Sequence, residues 1–180
     1  SASYKKNNKF KSIKKAFSGR IHWHSSKALI FHMDALHFLR NIPDHSISLI
    51  LTDPPYHVTK KKSIYGDTSF EKDAHYLEWM EEISIEWHRV LKINGSFFCF
   101  CDSSMAGRLE VLFSKRFNIR SNIVWTKPNA PGFDGWKGKM KKEALRQWYP
   151  HSERIIFAEP AVEGNLNRSP FGLYLQTMRK

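Results

Sequence analysis

The sequence predicts an α/β protein with a mixed, mostly parallel sheet and flanking helices. Residues 47–51 are almost entirely apolar, and residues 96–101 form a second apolar run. Short apolar runs of this kind are typical of strands that are buried on both faces. Between the two runs, apolar side chains recur at three- and four-residue spacing, which predicts a long amphipathic helix. Together these patterns indicate a parallel or mixed sheet that is covered by helices.

Composition limits the class of protein. The 180 residues correspond to one domain, or most of one, and suffice for a buried core. Hydrophobic residues make up 41% and aromatic residues 14%, which is typical of a globular chain. The formal net charge of +12 predicts a polyanionic partner. Because the sequence has no long apolar span, amphipathic anchor or signal-peptide core, we expect no membrane partner and a cytoplasmic location.

The amino-terminal part of the chain is basic. Residues 1–22 are rich in lysine with scattered aromatic residues, and they form either a solvated tail or short helix, or an arm that follows a phosphate backbone. Residues 28–32 predict a short strand that ends at Met33 and Asp34, followed by a helix. At this position Asp34 is suited to cap the helix.

The stretch Asp53-Pro54-Pro55-Tyr56 follows the first apolar run. Proline cannot donate to a strand ladder, so the strand is expected to end at Asp53. In open α/β sheets, ligands bind at the carboxyl ends of the strands. A carboxylate and the Pro54 carbonyl could accept hydrogen bonds from an exocyclic amino group on a nucleobase, while Tyr56 stacks on the base after it leaves the duplex. Alternatively, Asp53 only caps the next element and Tyr56 fills a core.

Two predicted loops are rich in basic residues. The first carries Lys60, Lys61 and Lys62 directly after the Tyr56 turn. The second, between residues 127 and 151, interleaves aromatic residues with Lys127, Lys137 and Lys139. Such interleaving is typical of surfaces that bind single-stranded or flipped bases. Solvated surface and packing against the body of the protein are the alternatives.

The remaining sequence patterns predict the helices and strands that form the core. The long helix presents Tyr76, Met80, Ile83, Trp87 and Val90 on one face and is expected to stop at Asn94-Gly95. A second helix from about residue 103 and strands over residues 118–126 and 153–158 follow. The two cysteines, Cys99 and Cys101, point to the same face of a strand, where they cannot bridge comfortably and fall short of a zinc site. We therefore expect buried thiols and no metal site.

Several segments resemble the permuted (β-class) DNA amino-methyltransferases. The resemblance covers roughly residues 28–160 and rests on residues 33–39, 42–44, 47–56, 89–96, 124–127 and 152–157. It implies a Rossmann-like class I methyltransferase fold over residues 23–160, with S-adenosyl-L-methionine as cofactor and DNA as partner. By the same resemblance, Asp34, Ala35 and Asp53 contact the cofactor, and Asp53, Pro54, Pro55 and Tyr56 hold the target base.

The family motif D-P-P-Y goes mainly with N6-adenine, so the resemblance implies adenine-specific DNA methylation of the kind found in restriction–modification. N4-cytosine, an RNA adenine, or a non-catalytic accessory role remain alternatives. The glycine cluster of the family's cofactor loop does not occur in this sequence. We therefore expect an incomplete sheet, residues 161–180 as the start of a C-terminal recognition segment, and a missing C-terminal part or second chain that completes the cofactor pocket.

Overall fold

The computed structural model describes residues 10–56, 73–126 and 152–161. The first described helix, α1, covers residues 10–16. The other helices are α2 (Ala35–Arg40), α3 (Asp73–Val90) and α4 (Ala106–Ser114), and the strands are β1 (Ile21–His24), β2 (Leu29–Phe31), β3 (Ile47–Thr52), β4 (Leu91–Cys101), β5 (Phe117–Thr126) and β6 (Ser152–Pro160). None of the helices in these ranges is both long enough and apolar enough to cross a membrane.

Four of the strands form one mixed sheet in the order β3-β4-β6-β5. Strand β4 runs parallel to β3 and antiparallel to β6, and β6 runs antiparallel to β5. The mixed sheet with flanking helices confirms the predicted architecture, and the predicted strands over residues 118–126 and 153–158 are present. Among the described strands one of the three pairings, β3–β4, is parallel, so this part of the sheet is not mostly parallel. Because β4 is paired on both edges, its position fixes where the ends of β3 and β6 lie relative to each other.

Helices α3 and α4 cover one face of this sheet with a shared core. Alternate residues of β4 face the helices, as the two-residue period of a strand requires, and Phe97, Cys99 and Cys101 are buried there. The Phe97 ring packs against Trp87 at 5.2 Å and against Phe117 at 4.9 Å between ring centroids. All five predicted core positions of the long helix are buried: Tyr76, Met80, Ile83, Trp87 and Val90. The helical spacing therefore predicted the core face of α3 correctly.

A separate antiparallel pair, β1 and β2, packs with α1 and α2. The buried side chain of Phe17 packs against the rings of Phe31 and Phe38, at centroid distances of 4.8 and 5.3 Å, and those two rings also contact each other at 5.0 Å. Strand β2 confirms the predicted strand before Asp34. The predicted boundary of the basic arm at residue 22 lies inside β1, while residues 1–9 are outside the described part of the chain.

Strand β3 differs from its prediction. It is not buried on both faces, because Leu49 and Leu51 are 54% and 68% exposed, whereas Ile47 and Ile50 pack on the core. Among the described residues β3 is also an edge of the four-stranded sheet. The prediction failed because an apolar run reports hydrophobicity and not whether both faces are covered by the same chain.

The end of α3 also differs from its prediction. The helix ends at Val90, not at Asn94-Gly95, and β4 begins at once with Leu91. The backbone N–H groups of His45 and Ser46 donate to the carbonyls of Arg89 and Val90, at 3.0 and 2.9 Å, and so satisfy acceptors at the helix end.

Gly95 is therefore a strand residue, and the backbone carbonyls of two other residues lie close to it. A Cβ at this position would lie 3.0 Å from the Lys92 carbonyl oxygen and 3.2 Å from that of Ile47. A side chain here would press on both carbonyl oxygens at this irregular part of the β3–β4 pair, so the backbones would have to move apart by a few tenths of an ångström.

Arg89 fastens the turn between α2 and β3 to α3. Its guanidinium donates to the carbonyl oxygens of Leu39 and Ile42, at 2.7 and 2.8 Å. It also pairs with Glu86, at 2.7 Å, and with Asp44. Because Asp34 precedes α2 and Asp53 follows β3, this one side chain stabilises the segment that joins two predicted site residues.

Candidate active site

The polar side chains of the candidate site lie at one end of the strands of the four-stranded sheet. The parallel strands β3 and β4 end there, and the antiparallel strand β6 begins there, while β5 ends beside β6. This follows from the strand register, in which Thr52 is paired with Cys99, Cys101 with Arg154, and Thr126 with Ser152. This is the carboxyl end of the parallel pair, where α/β proteins bind ligands.

Asp53 directly follows β3 at this end of the sheet. The strand ends at Thr52, one residue before the predicted end at Asp53, so Asp53 lies outside the ladder with an exposed side chain. Pro54 is buried and Pro55 is half-buried, which holds the turn against the protein body. The arrangement presents a carboxylate acceptor to solvent on a rigid support.

The side chain of Tyr56 extends past the end of β4 and contacts β6. Its hydroxyl donates to Oε2 of Glu153 at 3.1 Å, although 97 residues separate the two in sequence. Burial raises the pKa of the Tyr56 hydroxyl well above its ordinary value, and the carboxylates of Asp53 and Glu153 add to the effect. The hydroxyl therefore stays protonated at neutral pH and acts as a hydrogen-bond donor.

Two residues at this end of the sheet were missed as site residues from the sequence. Glu153 and Trp125 each lie in a predicted strand and in a segment of the family resemblance, but neither pattern assigns them a role in the site. In the structure Trp125 lies opposite Glu153 in the β5–β6 ladder, 48% exposed and edge-on to Phe100 at 5.8 Å. The available signal was their position at the ends of predicted strands, but pairing them required the order of the sheet.

The cysteines lie beneath the site as buried free thiols, as predicted. Burial raises the pKa of Cys99, with contributions from Cys101 and Asp53. Burial, followed by the charge of Asp102, raises the pKa of Cys101 to about 12. Both sulfurs are therefore protonated and poorly suited to nucleophilic attack. Within the described ranges no group of three or more His, Cys, Asp or Glu side chains could hold a metal ion.

Asp34 lies at the end of the β1–β2 unit and caps α2. Its Oδ1 accepts the backbone N–H of His37 at 2.8 Å, which is the N-cap interaction that its position suggested. Asp34 and Ala35 are both exposed. A carboxylate offers about four acceptor sites, so the cap leaves acceptors for a ligand. Contact of Asp34 and Ala35 with a cofactor stays a prediction.

The predicted nucleic-acid contacts lie outside the described residues. All six are lysines in the two basic loops, and their role stays a prediction: Lys60, Lys61, Lys62, Lys127, Lys137 and Lys139.

Comparisons with known proteins match the chain to DNA methylases. A family model described as DNA methylase matches residues 47–168. The DNA adenine methyltransferase YhdJ of Escherichia coli (strain K12) is 36% identical to the chain over 97 residues, which make up 54% of this chain and 32% of YhdJ. The chain therefore spans about a third of the length of that relative.

Two solved structures share the fold. The PvuII DNA methyltransferase (cytosine-N4-specific) has a TM-score of 0.55 at 21% identity, with 72% of this chain and 48% of that chain covered. The protein TTHA0409 of Thermus thermophilus, solved in complex with S-adenosyl-L-methionine, has a TM-score of 0.52 at 18% identity. The match covers 75% of this chain and 56% of that chain. These likenesses confirm the predicted Rossmann-like class I methyltransferase fold, of which the described strands and helices form a part.

Proposed function

This chain belongs to the DNA methylase family, whose model matches residues 47–168, and on that premise we propose that it transfers a methyl group from S-adenosyl-L-methionine to adenine N6 in DNA. The observation that carries the proposal is the exposed Asp53 carboxylate at the end of β3, with the half-buried Tyr56 ring beside it. The net charge of +12 supports DNA as the partner.

The chemistry follows from the weak nucleophilicity of an exocyclic amino group. Its lone pair is delocalised into the ring, and hydrogen bonds from its N–H groups to the Asp53 carboxylate and the Pro54 carbonyl favour a tetrahedral nitrogen with a free lone pair. As the new C–N bond forms, the nitrogen gains positive charge, which the Asp53 carboxylate stabilises. A proton then leaves the nitrogen for water.

Asp34 and Asp53 would hold the cofactor. When bound, it supplies a methyl group on a positively charged sulfur, which keeps the electron pair of the broken bond. The exposed carboxylates of Asp34 and Asp53 fit the hydroxyl and amino groups of such a ligand. The chain spans about half of the solved methyltransferase chains that it matches, so the proposal includes further residues or a second chain at the remaining walls of the pocket.

Methyl transfer from radiolabelled S-adenosyl-L-methionine tests the function directly. The protein is incubated with duplex DNA, and the DNA is digested to nucleosides that are separated and counted. We expect the label in N6-methyldeoxyadenosine and none with a control duplex that lacks adenine. Label in N4-methyldeoxycytidine would correct the target base. Cofactor binding without transfer to any DNA or RNA would favour an accessory role.

Tyr56→Ala should weaken binding of a duplex with a mispaired target adenine by about 1–3 kcal/mol more than it weakens binding of an ordinary duplex. The reason is that stacking on the ring is available only to an extruded base. Fluorescence anisotropy titrations on both duplexes measure the difference. The matched variant Tyr56→Phe keeps the ring and should lose much less. Equal losses for the two variants would assign the effect to the hydroxyl and contradict base stacking.

A further inference from the structure

The hydroxyl of Tyr56 lies between two carboxylates but can donate only one proton. The hydrogen bond goes to Oε2 of Glu153 at 3.1 Å. Burial raises the pKa of Tyr56 most, followed by a hydrogen bond and the charge of Asp53 and then by those of Glu153, so the hydroxyl lies within hydrogen-bonding reach of Asp53 as well. Both carboxylates can accept a hydrogen bond from a phenol, and charge-assisted bonds of this kind are strong. Which carboxylate accepts the hydrogen bond therefore matters for the site.

Glu153 is held in place from both sides. It lies in β6, where it is paired with Trp125 of β5, and the neighbouring Arg154 is paired with Cys101 of β4. Asp53, in contrast, lies beyond the end of an edge strand of the described sheet, with an exposed side chain. The ladder thus gives the Tyr56 hydroxyl a fixed acceptor on the far side of β4 from Asp53.

We propose that Glu153 is a positioning residue that keeps Asp53 free. By accepting the hydrogen bond of the Tyr56 hydroxyl, Glu153 leaves the Asp53 carboxylate available for the amino group of the target base. Without Glu153, the hydroxyl turns to Asp53 and competes with the substrate for the same acceptor. This inference rests on the proposed function, since it assigns Glu153 a role at the same site.

A set of variants separates this role from ordinary structural support. Glu153→Ala should lower kcat about ten- to a hundredfold, the range of one hydrogen bond to a charged group, with KM for the cofactor little changed. Glu153→Gln keeps an acceptor oxygen and should lower kcat only a few-fold. Tyr56→Phe removes the competing donor, so the double variant Glu153→Ala/Tyr56→Phe should recover to near the rate of Tyr56→Phe alone.

The matched control lies on the same strand. Glu159 pairs with Arg120 at 2.7 Å near the other end of β6, and Glu159→Ala should leave kcat unchanged. A double variant as slow as Glu153→Ala, or a Glu153→Ala variant at the wild-type rate, would overturn the proposal, because a purely structural glutamate predicts no rescue.

A double-mutant cycle of unfolding free energies tests the Glu153–Tyr56 pair independently of activity. It compares the wild type, the single variants Glu153→Ala and Tyr56→Phe, and the double variant in urea denaturation. We expect the losses of unfolding free energy to be non-additive, because the two side chains share one hydrogen bond. Additive losses would overturn the inference. If the wild type transfers no methyl group, the proposed function fails and the role in turnover fails with it, while a non-additive cycle would still show that Glu153 holds Tyr56.

Discussion

Asp53→Ala should lower methyl transfer by at least about a hundredfold, because removal of one group that stabilises the charge of the transition state typically costs about 10²–10³ in kcat. Stability should change by less than about 0.5 kcal/mol, since the side chain is exposed and lies outside the strand ladder. Single-turnover methyl transfer and urea denaturation of the two proteins measure both quantities.

Asp53→Asn is the matched control for this result. The amide keeps one carbonyl acceptor but has no negative charge, so its rate should lie between those of alanine and aspartate. Near-wild-type turnover by Asp53→Ala would remove the proposed mechanism. Loss of the fold on the same substitution would show instead that Asp53 serves mainly to cap the turn.

Phe97→Ala should destabilise the protein by about 3–5 kcal/mol, the usual cost of a buried phenylalanine. The ring is 0% exposed and lies among Trp87, Phe113 and Phe117, at centroid distances of 5.2, 5.2 and 4.9 Å. The resulting cavity would sit where α3 and α4 meet the sheet. Because typical domains are stable by only about 5–15 kcal/mol, a shift of this size is readily seen in urea denaturation.

The control for this substitution is Val111→Ala in α4. Val111 is apolar but 70% exposed, so its truncation should cost less than about 0.5 kcal/mol. A loss below about 1 kcal/mol for Phe97→Ala, comparable with the control, would be inconsistent with the packing of β4 against the helices.

Local patterns predicted the parts of the fold that depend on one element. The spacing from Tyr76 to Val90 predicted the buried face of α3, and the prolines after Asp53 predicted the end of β3 to within one residue. The faces of β3 could not be predicted, since the exposure of Leu49 and Leu51 depends on what packs on that side. The end of α3 depends on backbone groups of His45 and Ser46, which lie far away in sequence.

The candidate site divides in the same way. Asp53 and Tyr56 could be found because they are neighbours in one motif at a predicted strand end. Glu153 could not, because its contact with Tyr56 exists only when β4 lies between β3 and β6. For Asp34, spacing alone does not separate a helix cap from a ligand contact, and the structure shows the cap.

The bonds of Arg89 have a consequence for how the protein opens. Its guanidinium holds carbonyls of Leu39 and Ile42, while the amides of His45 and Ser46 are held by the end of α3. These amides can exchange with solvent only when the turn separates from α3, so the turn and the helix end form one cooperative opening unit. Because this turn joins α2, which follows Asp34, to β3, which precedes Asp53, we expect its opening to affect both ends of the segment.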